Sequence, residues 1–286
     1  MKSFKIKSYC KLNLFLKVVK KLKNGYHNII SLVTYCELHD IILIKKINSS
    51  KDIISFSGKF KNGINNKSNT ITKALDLLRK KNLDKNQFFK IHIKKNIPHG
   101  SGLGGGSSNA ANLINYFNKK IKLNLSNNKI NKLARQIGFD VPIILERKNT
   151  FLNGNKEKII RLKKKFGFNV LIVYPNIICS TKKIYGQNNK KSIIKSSFFK
   201  VKNNRQLINF LKNENNDLEK TVVKLYPKIG KIISFIKSQN GCYFSRITGS
   251  GSACFGIFSN MKNAIYAQKL IKLKYPKYWS VVSKTI

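Results

Sequence analysis

The chain has 286 residues, 42% of them hydrophobic, with 57 Lys and Arg against 11 Asp and Glu for a formal net charge of +46. That length suits two domains of ordinary size, and that apolar content allows a packed globular protein. No apolar run reaches the roughly 18 residues of a membrane span, which argues against a transmembrane helix and a membrane partner.

At the N-terminus, Lys11, Asn13 and Lys17 interrupt the apolar stretch, and no small-residue cleavage site follows. The segment therefore reads as mature protein and not as a signal peptide. Residues 4–20 alternate, with Leu12, Leu14, Leu16 and Val18 on one face and Lys11 and Asn13 on the other, which predicts a strand. Asn24-Gly25 is a turn signal, and residues 29–46 read as a second strand region. Asn69 or Thr70 caps a predicted helix carrying Ile71, Leu75 and Leu78 on one face. Residues 88–95 read as a strand.

Five glycines then fall within seven residues, Gly100 to Gly106, in IPHGSGLGGGSSNAA. A helix is predicted to start at Ser107 or Ser108, with Ala110, Leu113, Ile114 and Phe117 at helical spacing. Another follows over 125–138, closed by Gly138. The pattern loosens between Arg147 and Phe151, which suggests a boundary between domains 1–150 and 151–286. Beyond it come a buried strand at 168–175, an irregular polar stretch at 176–200 and two helical segments across 205–238. Strand, glycine turn and strand then occupy 242–258. A helix with Ala264, Ala267 and Ile271 inward and a closing strand complete the chain. This mixed order points to an α+β fold.

Three phosphate-loop readings compete for the glycine segment. A Walker A loop needs Gly-Lys-Ser/Thr at its end, and Gly106 is followed by Ser107. Gly100, Gly102 and Gly105 satisfy the dinucleotide pattern. However, Ile97-Pro98-His99 separates them from the strand, and the expected acidic residue is missing near 120–130. A glycine loop feeding a helix that opens on Ser107 and Ser108 fits better, because N–H groups at a helix N-terminus converge on an anion. Those serines could add hydroxyl donors or a magnesium contact.

The excess of basic residues has two readings. One is a polyanion partner such as RNA. The other is compositional: Lys, Asn and Ile are spread evenly, as an AT-rich genome would produce, and no specific nucleic acid is then expected. Five scattered cysteines, odd in number and without CxxC, argue against a disulfide framework or zinc site and suit a reducing cytoplasm.

The segment IPHGSGLGGGSSNAANLINYFN resembles the second motif of the GHMP kinases. KLNLFLKV at 11–18 is similar to the first motif of that family, GYH at 25–27 follows at the right distance, and GFDVP at 138–142 resembles Gly-Ala-Asp-Val-Pro. RITGSGSACFGIF at 246–258 resembles the third motif. Tyr9-Cys10 replaces the usual Pro-Ala, Phe139 a small residue, and Asn24 a common Asp. The resemblance implies a two-domain fold of mixed sheets and helices with its active site in the interdomain cleft.

The glycine motif resembles that of the branch of the family that phosphorylates the 2-hydroxyl of 4-diphosphocytidyl-2-C-methyl-D-erythritol, using ATP and Mg2+, for isoprenoid precursors. The resemblance implies Asp140 as general base, paired with Lys11. ATP would meet Pro98, Gly100, Gly102, Leu103, Gly104, Gly105, Gly106, Ser107 and Ser108, with Asn69 and Lys95 near its base. The cytidine diphosphate-linked substrate would meet Asn13, Tyr26, His27 and Tyr185, with Gly249 and Gly251 closing nearby; metal ligands are not identified. Other acceptors of this family (mevalonate, phosphomevalonate, homoserine) remain open, as does an RNA-binding protein on a related fold. Monomer and homodimer are both compatible with the chain.

Overall fold

The computed structural model describes residues 3–22, 27–81, 83–154, 158–188 and 201–286. By contact the chain forms two compact units: Met1–Cys10, Leu38–His99 and Gly104–Arg147 in the first, Lys11–Glu37, Gly100–Leu103 and Lys148–Ile286 in the second. One crossing falls at Arg147, in the loosened stretch. The others lie inside two long strands, β1 (Phe4–Lys21) and β2 (His27–Ile47), and around residues 100–103. The units thus interleave along the chain where the sequence suggests one break near 150.

In the first unit, residues 41–47 of β2 pair antiparallel with β4 (Phe88–Lys94), and β3 (Ile53–Ser57) runs parallel to β4. Period-two alternation buries Ile42 and Ile44 on β2 and Phe89, Ile91 and Ile93 on β4. Helices α1 (Thr70–Arg79), α2 (Gly105–Lys120), α3 (Asn127–Ile137) and α4 (Asp140–Ile144) complete the unit. Ile71, Leu75 and Leu78 of α1 and Ala110, Leu113, Ile114 and Phe117 of α2 are buried, as their spacing predicts. Phe117 meets Phe89 edge-on, centroids 4.8 Å apart, and so packs α2 on the sheet.

In the second unit, residues 30–33 of β2 pair with β5 (Thr150–Asn153), which pairs with β6 (Lys158–Arg161). A four-stranded antiparallel sheet has the order β10-β7-β9-β8, formed by Trp279–Lys284, Asn169–Tyr174, Cys254–Phe258 and Cys242–Ile247. Its core joins Leu171, Val173 and Cys254 to Ile229, Ile232 and Ile236 and to Ala264, Ala267 and Ile271. These last three lie on α9 (Met261–Lys274), on the face predicted inward.

The structure departs from the sequence reading in detail. The 205–238 region holds three helices, α6 (Asn204–Lys212), α7 (Glu219–Leu225) and α8 (Pro227–Lys237), because Pro227 starts a new helix at its first turn. A short helix, α5 (Thr181–Gly186), forms within the polar stretch, whose residues 189–200 lie outside the described residues. The strands β3, β5 and β6 are too short to show periodicity.

Candidate active site

Helix α2 begins at Gly105, two residues before the expected serines, with Gly104 as N-cap at φ 70°. Glycine carries no helical signal in a sequence, but it takes this left-handed conformation without a steric cost. The helices α1, α3, α5, α6 and α9 are each capped by a side chain, from Asn69, Ser126, Ser180, Asn203 and Asn260 respectively. No side chain caps α2. Its first-turn N–H groups, at the positive end of the helix dipole, thus keep their capacity for an anion.

The two serines divide their roles. The Ser108 hydroxyl donates to the Tyr9 carbonyl at 2.7 Å and accepts from Ser8 Oγ at 3.0 Å, so it ties α2 to β1. Ser107 is half-buried on the first turn. The Gly106 carbonyl accepts from Thr70 Oγ1 at 2.9 Å, which brings the start of α1 to the glycine segment. Asn69 is therefore adjacent, but its Oδ1 accepts from the N–H groups of Ile71 and Thr72 and its Nδ2 donates to the Asn65 carbonyl. Lys95 is 3% exposed and ion-paired with the fully buried Asp40. Both residues expected at the ATP base are thus engaged within the protein. Pro98 is buried at the entry to the segment.

Asp140 is the first residue of α4 and half-buried, followed by buried Val141, Pro142, Ile143 and Ile144. The N-cap is Phe139, 57% exposed, and no side chain caps this helix.

The second unit gathers another cluster. Lys11 is 4% exposed, and its Nζ donates to Asn13 Oδ1 at 2.5 Å. Asn13 gives its Nδ2 to Ser31 Oγ at 2.8 Å and its backbone N–H to Thr248 Oγ1 at 3.0 Å. Gly249 lies over this pair: a Cβ there would be 3.3 Å from Lys11 Nζ and 3.5 Å from Asn13 Oδ1. The buried Asn216 holds the Gly249 carbonyl at 2.8 Å and that of Ile247 at 3.2 Å. Gly251 closes the turn with its N–H on the Thr248 carbonyl at 3.0 Å.

The second and third glycine motifs also meet in this unit. The Ala253 N–H donates to the Ser101 carbonyl at 3.0 Å, and the Leu103 carbonyl accepts from the Lys11 N–H at 2.9 Å. A side chain on Gly102 would overlap the Thr248 carbonyl, so this glycine serves close backbone approach. Gly100 is exposed, with Ile178 beside it. Thr248 and Asn216 are two residues of this cluster that the sequence reading misses. Thr248 stands inside the third motif, whereas Asn216 is one asparagine among many, and nothing in the sequence sets it apart.

The His27 and Tyr185 rings lie 5.0 Å apart, tilted by 33°. Burial, and then the Lys21 charge, lower the His27 pKa below its ordinary 6.5, which favours the neutral ring. Tyr26 lies outside the described residues. All five cysteines are free thiols, and burial pushes Cys179 and Cys242 up to about 11. Among the described residues, no helix is long and apolar enough to cross a membrane, and no group of three or more His, Cys, Asp or Glu is placed to hold a metal ion.

Residues 69–147 match the GHMP kinases N terminal domain and residues 198–274 the GHMP kinases C terminal. The chain is 39% identical over 288 residues to the 4-diphosphocytidyl-2-C-methyl-D-erythritol kinase of Pelagibacter ubique (strain HTCC1062), with 100% of both chains covered. It is 34% identical over 290 residues to the kinase of the same name from Wolbachia pipientis wMel, covering 98% of this chain and 97% of that one. Its fold is similar to that of a 4-(cytidine 5'-diphospho)-2C-methyl-D-erythritol kinase crystal structure, with a TM-score of 0.79 at 21% identity over 98% and 99% of the two chains. A homoserine kinase from Cytophaga hutchinsonii gives a TM-score of 0.72 at 15% identity, over 100% of this chain and 95% of that one.

Proposed function

The chain belongs to the GHMP kinases, and on that premise we propose that it transfers a phosphoryl group from ATP to the 2-hydroxyl of 4-diphosphocytidyl-2-C-methyl-D-erythritol, a step in isoprenoid precursor synthesis. It is an ATP-dependent phosphotransferase. The observation that carries the choice of acceptor is the similarity to kinases of that name along the whole chain.

Phosphoryl transfer asks a protein mainly for positioning and charge stabilisation. In this proposal the uncapped N-terminus of α2, approached through residues 98–106, receives the ATP phosphates. Asn69 and Lys95 border the base side of that site through the groups they organise. Asp140 takes the proton of the 2-hydroxyl. Lys11, aimed by Asn13, holds negative charge near the reacting oxygen and pairs with Asp140. His27, Tyr26 and Tyr185 bind the cytosine, and Gly249 and Gly251 close beside the phosphates. Ser107 offers a hard oxygen donor, which suits Mg2+, an ion held mostly by phosphate and water. When bound, that ion neutralises phosphate charge.

The family-level division into an N-terminal domain, 1–150, and a C-terminal domain, 151–286, belongs to the same proposal. So does a cytoplasmic location, which the free and mostly buried thiols support. No specific nucleic acid is required.

The test is ATP turnover with the cytidyl acceptor, mevalonate, phosphomevalonate and homoserine offered separately. Turnover should require the cytidyl compound. Equal turnover of an acceptor without cytidine would overturn the assignment. No turnover at all, together with tight, salt-sensitive RNA binding, would favour an RNA-binding protein.

A further inference from the structure

We propose that Asp40 is a positioning residue for ATP, a single buried carboxylate that fixes both ends of the glycine segment through Asn96, Ile97 and Asn109. Asp40 lies on β2 and is fully buried. Its Oδ1 accepts from the Asn96 N–H at 2.7 Å and the Ile97 N–H at 2.9 Å, where the chain leaves β4 and enters the segment. Its Oδ2 accepts from Asn109 Nδ2 at 3.0 Å, on α2 just after the segment, and from the Lys95 ammonium. Four donors fill the roughly four lone-pair sites of the carboxylate. The entry to the segment at Ile97 and the helix after it at Asn109 are therefore tied to one carboxylate.

Lys95 completes the clamp. A Cβ on Gly105 would lie 3.4 Å from its Nζ, so the ammonium sits beside the first residue of α2. Asp40 neutralises that charge, which leaves the backbone N–H groups of α2 to receive the anion.

Asn109 shows that the arrangement is not built for stability alone. It is 2% exposed, and its Oδ1 has no hydrogen-bond partner among the described residues. Turning the amide over would set Oδ1 against the carboxylate, so the present orientation is the favourable one. An unpaired buried acceptor costs stability that an apolar residue of the same size would not. The bond to Asp40 is what the asparagine supplies in exchange.

The inference rests on the glycine segment being the ATP site. Asn109→Leu tests it in the full chain, because the substitution keeps the volume, removes the helix-side bond and removes the orphaned oxygen. Losing one hydrogen bond to a charged group should raise KM for ATP about 10-fold. The acceptor KM and kcat at saturating ATP should stay within about twofold, and Tm should fall by no more than a few degrees, because removing the orphaned oxygen offsets part of the bond lost to the buried carboxylate. Amide hydrogen exchange over residues 104–108 should quicken while that of β4 does not. Gly104→Asn, which changes the ATP site itself, is the companion variant. If it raises KM for ATP while Asn109→Leu leaves both KM and exchange unchanged, the clamp is refuted and the ATP site stands. If Gly104→Asn also leaves KM unchanged, the ATP site is misplaced. A lower Tm for Asn109→Leu with unchanged KM would assign Asn109 to packing and overturn the inference.

Discussion

Because Asn13 gives its amide N–H to Ser31, its carbonyl oxygen is left to face Lys11, and the ammonium is held at 2.5 Å. A lysine aimed in this way is a fixed charge, unlike the solvated lysines elsewhere in the chain. Asp140→Asn removes a proton acceptor while keeping shape, and general-base loss typically costs about 10²–10⁴ in rate. We expect kcat to fall by that order with both KM values little changed, and Lys11→Met to lose a comparable amount. If the two act as one pair, the double variant loses much less than the product of the single losses. Near-normal kcat in folded Asp140→Asn would show that positioning alone carries the transfer. His27 allows a second test. Its lowered pKa keeps the ring neutral at pH 7. The folded state binds fewer protons there than the unfolded chain, so this group stabilises above pH 6.5 and the contribution is lost as pH falls below it. Acceptor KM should be flat from about pH 8 down to that ordinary value and rise only below it. A rise already under way at pH 7, absent from His27→Gln, would contradict the lowered pKa.

Among the elements, α2 is set apart by a glycine N-cap in the left-handed conformation that leaves its first turn without a side-chain cap. Asparagine tolerates the left-handed conformation of Gly104 better than other side chains do, and its oxygen can compete for first-turn N–H groups. Gly104→Asn should therefore hold Tm within a few degrees and raise KM for ATP at least about 10-fold, or about 1.4 kcal/mol. Unchanged ATP affinity by calorimetry in the folded variant would remove α2 from the phosphate site. Periodicity made most of this frame legible: β1, β2, β4, β7 to β10, α1, α3 and α9 all follow the apolar pattern of their residues. The strands β3, β5 and β6 did not show, at five, four and four residues. The start of α2 was hidden because glycine signals a loop wherever it occurs. Lys11 and Asn13 were visible through their motif. Asp40 was not, because in an alternating strand an acid reads as an outward charge. Its burial depends on β4 and α2, which lie far along the chain.

At the scale of the whole molecule, the scarcity of acids acquires a structural meaning. Asp40 and Asp217 are buried, and Asp217 accepts from the Val18 N–H at 2.8 Å. Glu219 accepts from the Ile247 N–H at 2.9 Å, and burial raises its pKa. Asp52 is paired with Arg79 and Glu214 with Lys17. These 5 of the 11 acids are committed to partners within the fold, and all 11 together are far too few to offset 57 basic residues. Such a chain repels itself, and added salt should relieve the repulsion. Going from about 0.01 M to about 0.1 M monovalent salt shortens the screening length from about 30 Å to about 10 Å. We expect Tm to rise by at least about 3 °C, the equivalent of roughly 1 kcal/mol in a chain of this size. The same charge predicts RNA binding that is independent of sequence, weak at about 0.15 M salt and steeply weaker above it. A Tm that is flat or falls over that range would mean that the basic residues are compensated locally. A sequence-specific RNA complex that survives about 0.2 M salt would mean that the charge has been shaped for a partner, because counterion release alone cannot distinguish one base sequence from another.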